Sequence, residues 1–227
     1  MELYRIKKIS EIIGVDPLDI SFVKHPNCTF YYISNKSHKH YLIDQHLQIL
    51  KELVGFYTQD ILKKHIYPIV KVKVKKKGKE HKKKNESVSL RVIDWLVTNF
   101  SKSHNVSYTI IRNGQKEVVY LHNLYKSYLK NYRRRIFDPF RRKNPIFFFS
   151  ELSEEPLSTT VGQLNFFKFA LSYGILEYTK ANLSILEKDM NECLLKSKIL
   201  KNFTKKKRVS LSKKANTSCC LLSIASS

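Results

Sequence analysis

One stretch constrains this chain more than any other: Thr160–Gly174, reading TVGQLNFFKFALSYG. On a helical wheel Val161, Leu164, Phe166, Phe167, Phe169, Ala170, Leu171 and Tyr173 spread over most of the circumference. Only Asn165, Lys168 and Ser172 gather on a narrow polar stripe. A helix that is apolar nearly all round has to be buried on several sides. Its ends are marked as well. Thr160 and Gln163 have the spacing of a capping box, and Gly174 can take the left-handed conformation that closes a helix. The segment is therefore predicted to be the central core helix, at 160–174, of a globular domain.

The other elements are read from periodicity and punctuation. Met1–Ile13 has the pattern of a short helix closed by Gly14, followed by a turn at Asp16-Pro17. Phe22–Ile33 contains a strand-like aromatic run, and Tyr41–Tyr57 has helical spacing. His65–Val74 turns through Pro68 into an alternating strand with Val70, Val72 and Val74 on one face. Ser87–Phe100 is an amphipathic helix whose Trp95 points from the polar side. In 106–120, two β-rich runs flank Asn113-Gly114, the preferred pair for a two-residue type I′ hairpin. Arg112 and Lys116 at that turn offer a basic wing. Asn123–Ile136 reads as a helix capped by Asn123, with Leu124, Tyr125, Tyr128, Leu129, Tyr132 and Ile136 on one stripe. Leu183–Leu200 is the last helix. These elements make a mainly helical α+β protein. Its expected organisation is a small N-terminal α/β region (1–70), a basic linker (71–87), a helical core domain with the hairpin (88–203) and a disordered tail (204–227).

The net charge is +23, and its placement matters more than its size. Lys71–Lys84 holds nine Lys against one acid, Leu121–Lys143 eight Lys/Arg against one, and Lys201–Lys214 seven against none. The remainder of the chain is close to neutral. A merely Lys-rich composition would scatter its charge; clustering is the footprint of a polyanionic partner. The 123–136 helix is the most informative patch. Lys126, Lys130, Arg133 and Arg134 fall together opposite the apolar stripe, and the Asp138-Pro139 turn brings Arg141, Arg142 and Lys143 back near them. Phe137 and Phe140 are interleaved. Arg135 lies on the edge of the stripe, where it snorkels or pairs with Asp138. Guanidinium groups bind phosphate bidentately and stack on bases, which suits nucleic acid. In the linker, Lys75, Lys76, Lys77, Lys82, Lys83 and Lys84 form a second candidate phosphate clamp or an import signal, set against the plainer reading of a solvated run. The acidic island Glu151–Pro156 competes as an internal partner for the arginines.

Tests for catalysis return little. The chain has no GxxxxGK[ST], GxGxxG, GxSxG or HExxH, and its carboxylates are scattered. His38 and His40, with Cys28 and His46 nearby, lack the four-ligand spacing of a closed zinc site. No cofactor, metal or catalytic residue is expected. The four cysteines do not form a disulfide framework, and Cys219 and Cys220 are candidates only for palmitoylation. No apolar run of about eighteen residues and no signal-peptide pattern is present, so an intracellular location is expected.

The segments DWLVTNFSK (Asp94–Lys102), YKSYLKNYRRRIFDPFRR (Tyr125–Arg142) and TTVGQLNFFKFALSYGILEY (Thr159–Tyr178) are similar to a family of uncharacterised basic proteins. These belong to nucleocytoplasmic large DNA viruses such as iridoviruses and mimivirus relatives. The resemblance covers about 88–200, with the VGQLNFFKFA block its most specific part. It implies a viral origin and no established activity; the expected location is the virion or host cytoplasm, or the host nucleus, and the expected nucleic-acid partner is DNA rather than RNA. It carries over no catalytic residues. The alternative expectation is an assembly protein whose patches bind acidic viral proteins or anionic membrane.

Overall fold

The structure, a computed structural model, describes residues 1–68, 88–150 and 153–200. Residues 1–181 form one unit and residues 182–227 a second, whose described part, 182–200, is helical from 183 on, as expected. The first unit opens with helix α1 (Glu2–Ile13), closed by Gly14 at φ 67°. A 3₁₀ turn, Pro17–Asp19, follows, with Asp16 accepting from the Leu18 N–H. Strands β1 (Ile20–His25) and β2 (Cys28–Ile33) then form a hairpin, of which the sequence had disclosed one aromatic run. Helix α2 (Asp44–Val54) is followed by α3 (Gln59–Ile61), which continues through a π-turn over Leu62–Ile66. The chain is still helical at Pro68, and the strand expected beyond it lies outside the described residues.

After the basic run, α4 (Leu90–Trp95) begins at Ser89, whose hydroxyl accepts from the Arg91 N–H, and extends through a π-turn, Leu96–Phe100. Strands β3 (Ser107–Arg112) and β4 (Gln115–Tyr120) make the expected hairpin. Asn113 (φ 51°) and Gly114 (φ 78°) supply the two left-handed residues that a type I′ turn requires. Helix α5 (Leu121–Asn131), strands β5 (Pro145–Ser150) and β6 (Ser153–Thr160), helix α6 (Val161–Ser172) and helix α7 (Ile175–Ala181) complete the unit. The result is a mainly helical α+β fold around the predicted central helix.

The larger sheet has the order β1-β2-β5-β6, antiparallel throughout. Successive side chains of a strand point to opposite faces, and both faces here are covered. Phe30, Ile146 and Phe148 face Leu50 and Leu53 of α2 and Val161, Leu164 and Phe167 of α6. Tyr31, Ile33, Phe147 and Phe149 face Ile9 of α1. The Tyr31 hydroxyl donates to Glu2, and Arg5 lies 5.1 Å over the Phe149 ring. Burial on both sides explains the unbroken apolar run Ile146–Phe149. It also corrects the expected domain boundary. Tyr31 pairs with Phe147 and Tyr32 with Ile146, so strands on either side of the basic run share one sheet. A run of like charge marks solvated chain; it carries no information on whether its flanks pair.

Helix α6 is enclosed as expected, with Val161 to Phe167, Phe169 and Ala170 all buried. The Thr160 hydroxyl accepts from the Gln163 N–H at 3.3 Å. The return arm of the capping box is absent. The Gln163 amide donates to the Pro139 carbonyl instead, at 2.9 Å. Among the described residues no helix is long and apolar enough to cross a membrane.

Candidate nucleic-acid interface

The basic segment departs from the helix that periodicity suggests. Helix α5 starts at Leu121, without a side-chain cap, and stops at Asn131; Asn123 lies within it. Tyr132 turns extended (φ −113°, ψ 125°), Arg133 follows in an extended conformation, and Arg134–Ile136 form one 3₁₀ turn. Tertiary packing sets this ending. Phe137 is 2% exposed, among Tyr125, Tyr128, Tyr132, Phe166 and Phe169, with ring centroids 5.4–6.0 Å away. Burying a Phe side chain stabilises by about 1.5–3 kcal/mol, which offsets helical hydrogen bonds whose exposed groups can turn to water instead. Lys126 and Lys130 therefore share a helical face, whereas Arg133, Arg134 and Arg135 lie on a turn.

That turn is fastened from beneath by the first two turns of α6. A Cβ on Gly162 would sit 3.2 Å from the Arg135 carbonyl oxygen and 3.4 Å from the Asp138 N and O, so only glycine admits this approach without displacement. The Asn165 amide donates to the Ile136 carbonyl at 3.0 Å, and the Gln163 amide to that of Pro139. The Thr160 hydroxyl donates to the Arg141 carbonyl at 3.3 Å. Asn165 is thus buried and bonded, and does not belong to an exposed polar stripe. Within the loop, Asp138 Oδ1 accepts from the Phe140 N–H at 2.8 Å, and the Asp138 carbonyl from the Arg141 N–H at 3.2 Å. Asn144, at φ 59°, donates to the Tyr41 carbonyl at 2.6 Å and ends the loop. The four polar or small residues of TVGQLN thereby hold the backbone of RRRIFDPFRR.

Of the candidate contacts, Lys126, Lys130, Arg133, Arg134, Arg142 and Lys143 are exposed, as is Arg135. Arg141 is half-buried, its Nη2 donating to Asn144 at 3.4 Å and its Nε without a partner. Lys75, Lys76, Lys77, Lys82, Lys83 and Lys84 lie outside the described residues. Electrostatics indicate which groups meet. Burial lowers the pKa of His46, and so do Arg141 and Arg135, which places both guanidinium groups near one imidazole. Burial pushes Asp94 up to about 6, with Asp138 adding to the rise and Arg134 opposing it. His122 is lowered by burial, then by Lys126 and Lys102.

Among the described side chains no carboxylate lies within ion-pair distance of the array. Among the described residues the ion pairs are Lys8–Glu155 (3.1 Å), Lys24–Glu2 (3.4 Å) and Arg112–Glu117 (3.7 Å). Glu155 of the acidic island thus meets α1 through Lys8. Arg112 and Lys116 of the expected basic wing are both exposed, but Arg112 lies 4.7 Å over the Tyr173 ring and pairs with Glu117, so its guanidinium is partly engaged. The aromatic pair divides too: Phe137 is core, while Phe140 is half-exposed. Cys28 donates to the Val54 carbonyl, and burial pushes its thiol up to about 12. It is not gathered with His38, His40 and His46, and among the described residues no cluster of three or more potential metal ligands forms. The sequence reading missed His46, Lys102 and Asp94 around the array. It also missed the role of Gln163 and Asn165, although amides within an all-round apolar helix signal buried polar groups in need of partners.

A family model, described as a family of unknown function (DUF7197), matches residues 56–220. The chain belongs to this family. Over 182 residues it is 32% identical to "Uncharacterized protein L507" of Acanthamoeba polyphaga mimivirus, a match covering 78% of this chain. The chain spans 66% of the length of that viral relative. No solved structure matches it. The family region includes the basic loop and the α6 residues that hold it, but starts after β1 and β2, which complete the sheet.

Proposed function

We propose that this chain is a non-enzymatic, weakly sequence-specific nucleic-acid-binding protein of a large DNA virus, working at the genome or in the virus factory of the infected cell. The observation that carries this reading is an exposed arginine-rich turn whose backbone is fixed by buried amides and whose cations make no direct ion pair with a described carboxylate. A fixed backbone reduces the ordering cost on binding, and unpaired guanidinium groups are available for bidentate phosphate contacts. Phosphate contacts position a polymer without reading sequence, hence the weak specificity. Lys126, Lys130, Arg133, Arg134, Arg142 and Lys143 contact phosphates; half-buried Arg141 shapes the loop and adds charge. DNA is the expected polymer, in line with the viral relative.

Fluorescence-anisotropy titration across a salt series tests this. Six phosphate contacts give a slope of log K against log salt on the order of −5 for duplex and −4 for single strands. Changing Arg133, Arg134, Arg142 and Lys143 to Ser removes more than half of that slope. A slope near zero, or binding unaltered in the variant, overturns the assignment and brings forward an assembly role with acidic proteins or anionic membrane.

A further inference from the structure

We infer that the array takes a single-stranded polynucleotide, with Phe140 as the stacking platform for an unpaired base. This rests on the reading of the array as a phosphate-binding surface and adds the form of the polymer. Phe140 is 49% exposed, whereas Phe137, three residues earlier, is 2% exposed. No other ring among the described residues stacks on it. Its exposure is built in. It follows Pro139 in a turn closed from Arg141 N–H to Asp138 carbonyl, its own N–H is held by Asp138 Oδ1, and the Pro139 carbonyl is held by Gln163. An apolar ring is thereby fixed at the tip of a turn between Arg133–Arg135 and Arg141–Lys143. Aromatic faces set among phosphate-binding cations are how single strands are held without regard to sequence, because every base has a π-face.

The shape argues against a duplex. The major groove of B-DNA admits a helix or a two-stranded ribbon. Here the helix stops at Asn131, before the arginines, and the hairpin turns Arg112 back onto Tyr173. A Phe ring on a short turn stacks on an unpaired base without first parting a base step, whereas insertion into a duplex carries the added cost of unstacking.

The test uses the full chain with labelled oligo-dT, oligo-U and a duplex of equal length at matched salt, comparing wild type with Phe140→Ala, Phe140→Trp and the Arg133→Ser/Arg142→Ser double variant. Melting curves check that each variant is folded. Single strands should bind more tightly than duplex. Phe140→Ala should weaken the single strands on the order of tenfold and leave duplex binding and both salt slopes unchanged. Phe140→Trp should retain affinity, with its emission quenched by the oligomer. The oligo-dT and oligo-U arms decide whether the strand is DNA or RNA. Duplex binding as tight as single strands, or a Phe140→Ala variant that binds every polymer like wild type, overturns the stacking assignment. If the double variant still loses binding in that case, the phosphate reading stands alone. If neither variant changes anything, or nothing binds, both fall.

Discussion

Two exposed, basic connections in this molecule reach their conformations by opposite routes. The β3–β4 turn is self-determined: Asn113 and Gly114 tolerate positive φ, and the strands on either side continue their pairing to the last residue. The 132–144 loop is shaped from elsewhere, by Phe137 docking on α6 and by side chains of Thr160, Gln163 and Asn165 bonding its carbonyls. A locally encoded turn withstands damage to the core. A turn held by a distant helix inherits that helix's integrity, and with it whatever the loop presents to a ligand.

The difference can be broken most forcefully at Phe137. Phe137→Ala should cost about 3–5 kcal/mol of stability in denaturant unfolding and loosen the arginine loop, while the β3–β4 turn keeps its amide-exchange protection. Asn165→Leu is narrower. It strands the Ile136 carbonyl and should cost about 1–3 kcal/mol, with nucleic-acid affinity falling although every cation remains. If affinity stays at the wild-type value, the fastening of the loop is irrelevant to binding. The hairpin counterpart, Gly114→Ala, forces an L-residue to φ 78° and should cost about 1 kcal/mol without touching affinity.

The smallest effects are in pH. His46 has its pKa lowered by burial, Arg141 and Arg135, so the unfolded chain binds its proton more readily. Stability is whole above the ordinary imidazole range and declines as pH falls below about 6.5, and His46→Gln should remove that part of the decline. Asp94 acts in the other direction. With its pKa raised to about 6, its contribution is present at low pH and lost as pH rises through about 6, so Asp94→Asn should gain relative stability above that point. Thermal melts between pH 4 and 8 separate the two; equal slopes in wild type and both variants would refute them.

Legibility in the sequence follows the same division between local and distant causes. Gly14, Thr160 and Asn113-Gly114 each mark a boundary through their own backbone preferences, and each boundary is legible from them, whereas the helix placed from Ser87 starts after the cap Ser89. Helix α5 was drawn too long because Tyr132 and Ile136 kept the helical period, and nothing within that window discloses that Phe137 reaches α6. Strand β6 was missed because SEEPLSTT is polar and contains Pro156. An edge strand permits both, and β6 lies at the edge of its sheet. The cations of the site were legible as a cluster. Their mounting was not, since it depends on amides that periodicity assigns to a polar stripe.

The sheet order also carries a consequence for biosynthesis. β1 and β2 can close as a hairpin once made, but the neighbour of β2 is β5, and Tyr57 waits for Leu164, 107 positions later, to accept its hydroxyl. At roughly 5–20 residues per second of translation, that interval is on the order of ten seconds. Throughout it Phe30 and Tyr31 sit on a strand with an open edge, the geometry that recruits foreign strands. Nascent chains should accordingly depend on holding chaperones until the ribosome has passed α6, and the slow phase of refolding should track the pairing of β2 with β5.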